Sequence, residues 1–257
     1  MAAEPTSRGW VLCPRPRPAA AARLLCLPYA GGGASVFRTW PEVLPATIEL
    51  RSVQPPGREG RLREPAFTRM DALVSSLTDA LSTGDHLDRP FAVFGHSMGA
   101  LIGFELVREL RRLGGPLPVH LFVAGHAAPQ VPPTEPELHD VPDEAFADGL
   151  RRLEGTPEEV LAHPGLMQLL MPLLRADFEL CETYAPPDEP PIDVPISAFG
   201  GLEDHVADRA GLEAWAVHTS AGFRLRMVPG GHFFLQSARE LLVRGIVGDL
   251  MAVPGVR

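Results

Sequence analysis

The chain alternates between two patterns. Six short apolar runs, RLLCLP, IELRSVQ, FAVFG, VHLFVAG, VPISAFG and FRLRMVPG, recur along it. Between them lie stretches with helical spacing, SVFRTWPEVL, MDALVSSLTDAL, LIGFELVRELRRL and RAGLEAWAVHT, and the chain closes on FLQSARELLVRGIVGDLMA. Strands that are apolar almost throughout belong to a parallel sheet covered on both faces. Right-handed crossovers make such a sheet doubly wound. With 257 residues, 45% of them hydrophobic, the sequence predicts one α/β domain over 1–257 with a sizeable core.

One stretch breaks the alternation. From about 129 to 191 there is no strand candidate, and the proline-rich segments APQVPPTEPE and YAPPDEPP bound it. Inside are three helical patterns, DEAFADGLRRLEG, TPEEVLAH and LMQLLMPLLRADFELCETY. The second opens on Thr156, Pro157 and Glu159, a capping box with proline at the first helical position. This helical insertion is either a lid over a site or an extra packing layer. Met167, Leu170, Met171 and Leu174 accordingly either line an acyl channel or pack the insertion onto the sheet.

Gly95-His96-Ser97-Met98-Gly99 matches G-x-S-x-G, the nucleophile elbow, and it follows an apolar run and opens a helical one. The serine must stand on a strained strand-to-helix turn so that its hydroxyl clears the sheet. Glycines two before and two after relieve the crowding there. The N–H of Met98 then faces a reacting carbonyl at a helix N-terminus, where the dipole favours negative charge.

Serine needs a base to take its proton, and the base needs a partner to hold its tautomer. In α/β-hydrolase order the acid and then the histidine follow the serine. Of the histidines after Ser97, only His232 directly follows the last strand candidate on a glycine-rich loop, where active-site loops of open α/β sheets gather. His120 lies within a strand run, His126 ends one, His139 and His163 fall in the insertion, and His218 closes a helix. For the acid, Asp204 stands shortly after a strand, with Glu203 and Asp208 as rivals and His205 as a loop residue. A second oxyanion donor is expected from LPYAGGGASVF, where Ala30 and Gly31 are both candidates. The three glycines carry neither the Walker lysine nor the spaced dinucleotide fingerprint.

Net charge of −9 argues against a general nucleic-acid binder, and all 23 basic residues are arginine. Cys13, Cys26 and Cys181 form no CxxC pair, so neither a zinc site nor a disulfide framework is indicated. No window is long and apolar enough to span a bilayer, and the N-terminal stretch lacks a signal layout, which predicts a cytoplasmic location without membrane contact. No coiled coil or extended apolar edge is legible, which points to a monomer.

Taken together, LPYAGGGASVFRTW, VQPPGREGRL, FAVFGHSMGALIGFELVREL, ISAFGGLEDHV and VPGGHFFL resemble the stand-alone type II thioesterases of polyketide and non-ribosomal peptide biosynthesis, from about Arg23 to the final helix. The resemblance implies an α/β-hydrolase fold with the insertion as a mobile lid. It implies hydrolysis of stalled or mis-primed acyl groups from the phosphopantetheine thiol of an acyl or peptidyl carrier protein, with no cofactor of its own. Residues carry over as Ser97 nucleophile, Asp204 orienting acid and His232 base, with Met98 and Ala30 giving the oxyanion N–H groups. The acid loop GGLEDHV lacks the proline the family often has after the aspartate, which keeps Glu203 and Asp208 open. PGRE, with Gly57, Arg58 and Glu59, is family-like but has no role readable from sequence.

A general carboxylesterase or lipase shares the same triad, an acyltransferase differs only in the acyl acceptor, and a non-catalytic binding protein of this fold is the more distant rival. Carrier proteins are typically acidic, so a chain at −9 needs local basic patches for docking. REGRLR (Arg58, Arg61, Arg63) and RELRR (Arg108, Arg111, Arg112) are the candidates.

Overall fold

The computed structural model describes residues 9–133, 136–153 and 163–256. Its strands are β1 (Val11–Leu12), β2 (Ala22–Leu27), β3 (Ile48–Val53), β4 (Phe91–His96), β5 (His120–Ala124), β6 (Ile196–Gly201) and β7 (Phe223–Val228). Its helices among the described residues are α1 (Met70–Ser82), α2 (Met98–Arg112), α3 (Asp143–Arg152), α4 (Pro164–Glu182), α5 (Arg209–Glu213), α6 (Phe234–Ser237) and α7 (Arg239–Leu250). The strands join in the order β1-β3-β2-β4-β5-β6-β7, with β1 antiparallel to β3 and all other neighbours parallel. The six predicted strand runs become β2 to β7.

Alternate residues of each strand feed two cores, because successive side chains point to opposite faces. In β4, Phe91 and Val93 join Leu73, Leu77 and Ile102 of α1 and α2. Ala92 and Phe94 join Leu242 and Ile246 of α7 on the other face. That is why the strands read apolar throughout. Truncating Phe94 to alanine would cost about 3–5 kcal/mol, since its ring is closed in by Phe37 and Trp40.

The winding reverses between β2 and β4: the chain runs outward from β2 to β3, then crosses to β4 and on to β7. The loops after β2 and β4 therefore leave adjacent strands at the same sheet edge, which is the crevice where doubly wound folds bind ligands.

Three expectations are corrected. SVFRTWPEVL forms two 3-10 turns, Ala34–Phe37 and Trp40–Glu42, instead of an α-helix. Pro41 disfavours helical geometry at Trp40, and the three-residue period places Phe37 and Trp40 together in the core. The stretch 209–218 is a five-residue α5 that tightens into a 3-10 turn at Ala214–His218. The C-terminal helix is broken at Ala238 into α6 and α7.

Between β5 and β6 the described residues carry α3 and α4, and α4 runs on through Pro172. The capping box at Thr156, Pro157 and Glu159 lies outside the described residues. Leu138, Phe146, Leu150, Met167 and Leu174 form a third apolar cluster, with Leu170 and Met171 packed against it. These side chains thus pack the insertion chiefly on itself. No helix among the described residues is long and apolar enough to cross a membrane.

Candidate active site

Ser97 sits between β4 and α2 at φ 53° and ψ −118°, one of two non-glycine residues with positive φ among those described. This conformation costs on the order of 1–3 kcal/mol and persists only where surroundings impose it. They do: Ser97 N–H donates to Ala124 O at 2.7 Å, and Ala100 N–H donates to Ser97 O at 2.8 Å. A Cβ at Gly95 would lie 1.9 Å from Gly99 O, and one at Gly99 would lie 2.3 Å from Leu27 O. The glycine spacing is a packing requirement.

His232 follows β7 by four residues, and Asp204 follows β6 by three. The His232 Nδ1 lies 3.0 Å from Asp204 Oδ2 and 3.2 Å from Oδ1, with both residues buried. Glu203 is exposed, and Asp208 caps α5 by accepting Gly211 N–H at 2.7 Å. Of the three carboxylates, Asp204 is the one that meets the imidazole. Ser97 and His232 face one cavity with no hydrogen bond between them in this structure. Such contacts are often loose without substrate and tighten in the reacting complex.

Ala30 and Met98 line the same cavity, and among the described residues neither N–H has a hydrogen-bond acceptor. Gly31, the other candidate donor, instead gives its N–H to Asp177 Oδ2 at 2.7 Å. The cavity, ≈ 190 Å³, takes the rest of its lining largely from the insertion, with Leu138, Leu150, Leu153, Leu174 and Phe178 contributing apolar surface. A wider cavity of ≈ 430 Å³ shares His126, Pro133, Cys181, Glu182 and Val206 with it. A third hollow of ≈ 480 Å³, beside α1 and α2, holds none of the candidate catalytic residues, though Arg112 lines it.

Sequence reasoning passed over His96. Its ring is wholly buried, 5.2 Å from that of His232, with no partner for either nitrogen among the described residues. Burial first, and then the nearby His232, push its pKa well below the ordinary histidine value. Its ring packs against those of His232, Phe233 and Phe234, behind the cavity surface. His126 does line the cavity, with Nδ1 2.7 Å from Ala127 O, and burial lowers its pKa.

The two basic patches are not patches. Arg58 is buried against Asp177, and Arg61 is buried, bonded to Glu64 at 2.6 Å and stacked 4.3 Å over Trp10. Arg108 is buried on Glu105, while Arg111 and Arg112 pair with Glu189. Only Arg63 of the six is exposed without an ion pair among the described residues.

The sequence profile of the thioesterase domain family matches residues 22–249. The chain is 38% identical to the RedJ thioesterase of the prodiginine pathway in Streptomyces coelicolor, with a TM-score of 0.86 over 91% of this chain and 92% of that one. It is 33% identical to BorB, the type II thioesterase of the borrelidin cluster, with a TM-score of 0.84 over 96% and 98% of the two chains. It is also 42% identical over 246 residues to a Brevibacillus parabrevis protein named linear gramicidin dehydrogenase LgrE, covering 95% of this chain and 93% of the relative. In this chain the glycine loop has Val36 where a dinucleotide fingerprint beginning at Gly31 needs its third glycine.

Proposed function

The chain belongs to the thioesterase domain family, and from that premise we propose that it hydrolyses acyl groups from the phosphopantetheine thiol of an acyl or peptidyl carrier protein, through an acyl-Ser97 intermediate, as an editing enzyme. The observation that supports this most is the strained Ser97 opening onto an apolar cavity that His232 also lines, with Asp204 behind it on Nδ1.

In the first step His232 takes the Ser97 proton as Oγ attacks the thioester carbonyl. The tetrahedral oxyanion is held by the Ala30 and Met98 N–H groups, the kind of preorganised donor pair whose loss costs about 10²–10³ in rate per donor. Collapse breaks the C–S bond, the leaving sulfur takes the proton from His232, and an acyl-Ser97 ester remains. In the second step His232 removes a proton from water, hydroxide attacks the ester, and the acid leaves as Ser97 recovers its proton. Asp204 holds the His232 tautomer with Nδ1–H toward itself and stabilises the imidazolium. The insertion acts as the lid, and the short chain of a mis-primed acyl group sits against Leu150, Leu174 and Phe178.

The test is to load one carrier protein with a panel of acyl groups and compare release with hydrolysis of soluble oxygen esters of the same acids. Preference for the carrier thioester by orders of magnitude in kcat/KM supports the reading. Equal or better oxygen-ester turnover makes the protein a general carboxylesterase.

A further inference from the structure

We propose that Arg58 and Asp177 are positioning residues that clamp the loop after β2 in its oxyanion-binding conformation and tie that conformation to the insertion helix α4. The proposal rests on the reading of Ala30 as an oxyanion donor given above.

The loop turns through a hydrogen bond from Gly32 N–H to Tyr29 O at 2.9 Å, with Gly31 at φ 77° and Ala30 outside the positive-φ region. Those are the marks of a type II turn, whose third residue needs positive φ. Its central peptide, joining Ala30 to Gly31, can flip between type I and type II forms. Here the flip is opposed. Asp177 Oδ2 accepts Gly31 N–H at 2.7 Å, and the opposite orientation would set the Ala30 carbonyl oxygen against that carboxylate.

Arg58 in turn fixes Asp177 with two parallel bonds of 2.8 Å each, and its Nη1 also donates to Gly32 O at 3.1 Å. Both side chains are buried. Around them the PGRE segment grips the same loop: Glu59 Oε1 accepts Ser35 N–H at 3.2 Å and its hydroxyl at 2.6 Å. Gln54 accepts Ala34 N–H at 2.8 Å and donates to Arg58 O at 3.1 Å. From the other side Leu174, one turn before Asp177 on α4, presses so closely that a Cβ at Gly31 would meet its Cδ2 at 2.7 Å.

A buried ion pair adds little net stability over apolar residues of similar size. What this pair supplies is orientation: a bidentate fork and a single acceptor fix one peptide plane beside the Ala30 N–H. Because Asp177 belongs to the insertion, displacement of α4 would remove the acceptor and release the loop. The oxyanion site is complete only with α4 seated.

The test uses full-length protein and three variants, Asp177→Asn, Arg58→Lys and the double variant Arg58→Met/Asp177→Leu, which strands no buried charge. Each is assayed for kcat and KM on an acyl thioester, for the pH profile of kcat, and for binding of a trifluoromethyl ketone that mimics the tetrahedral state. A clamp predicts kcat and analogue affinity falling together, by roughly tenfold or more in the double variant, with KM and the pH midpoint held. Asp177→Asn, which keeps an acceptor, falls between it and wild type. If the folded double variant matches wild type in kcat, or loses only in KM, the clamp is wrong. Should the double variant not fold, Arg58→Lys and Asp177→Asn decide by the same readouts. Wild-type protein that turns over thioester and takes a fluorophosphonate on Ser97 keeps the functional reading intact whatever the variants do; wild type without that adduct overturns both.

Discussion

Asp204 is held from two sides: it accepts the N–H groups of Val206 and Ala207 through Oδ1 at 2.8 and 3.2 Å, and it faces His232 Nδ1 at 3.0 Å through Oδ2. Its carboxylate is thus aimed before any substrate arrives. Asp204→Asn leaves the shape but offers His232 an amide N–H, which favours the wrong tautomer. We expect kcat on a carrier-bound thioester to fall about 10³–10⁴-fold with KM little changed. A loss below tenfold would remove Asp204 from the mechanism and return attention to Glu203 and Asp208.

The elbow separates activity from stability. Ser97→Ala should abolish turnover and the fluorophosphonate adduct while keeping the fold, because the backbone bonds at 97 do not involve the side chain. Ser97→Gly should be equally inactive yet about 1 kcal/mol more stable than Ser97→Ala, since glycine accepts φ 53° without strain. Chemical denaturation of the two variants side by side gives the difference, and a less stable glycine variant contradicts the strain.

The insertion supplies the apolar lining, so cargo length should respond there. Leu150→Trp adds bulk to the ≈ 190 Å³ cavity. It should lower kcat/KM for longer acyl chains more than for acetyl, by roughly tenfold or more if about one to two kcal/mol of burial is lost. An equal loss at all chain lengths would mean that the acyl group lies elsewhere.

Charge reversal at Arg61 and Arg63 should have different consequences. Arg61→Asp strands Glu64, Gln54 O and the Trp10 face, and should lower stability by about 3 kcal/mol or more as read by thermal melting. Arg63→Glu, on the surface, should leave Tm unchanged and raise KM for carrier-bound but not free thioesters if acidic carriers dock nearby. Equal effects on both substrates discard that docking face.

Acid should destabilise the fold in two stages. Burial pushes His120 down to about 4, and the ring stays neutral against Ser197 Oγ at 2.9 Å. Between 6.5 and 4 the unfolded chain binds a proton that the folded one refuses, so stability falls as pH falls, by at most about 1.4 kcal/mol per pH unit for each such histidine. His96 acts in the same direction. Asp249 is pulled down to about 2: burial opposes this, but hydrogen bonds from Arg226, Ser197 and Arg224 outweigh it. Its contribution is lost as pH drops from about 3.8 through 2. Denaturant titrations across this range should show the decline, flattened in its upper part by His120→Gln; a level profile above pH 4 is the contrary result.

Local chemistry carried most of the site in the sequence. Parallel strands buried on both faces leave apolar runs, and the elbow leaves its glycines because a Cβ at 95 or 99 would collide with backbone. Asp204 and His232 were legible because each follows a strand on the same sheet edge. What could not be read were relationships spanning the chain. Arg58 and Asp177 are 119 residues apart, and nothing in REGRLR says that its first arginine is buried in a pair while its second stacks on Trp10. That Gly31 N–H is taken by Asp177 of α4 was likewise beyond reach of the local sequence. PGRE was visible as a motif, and its meaning lay in the three-dimensional neighbour it grips.

The third apolar cluster gives α3 and most of α4 an interior separate from the two sheet-facing cores, which α4 joins only through Leu180 and Cys181 near its end. Leu174 apart, residues there can be exchanged without disturbing the packing that strains Ser97 or aims Asp204. Related enzymes can therefore diverge in what they accept by redrawing this one module around an unchanged reactive centre, and an engineer seeking new selectivity has the same freedom, with Leu174 and Asp177 as the fixed points where the module meets the machinery.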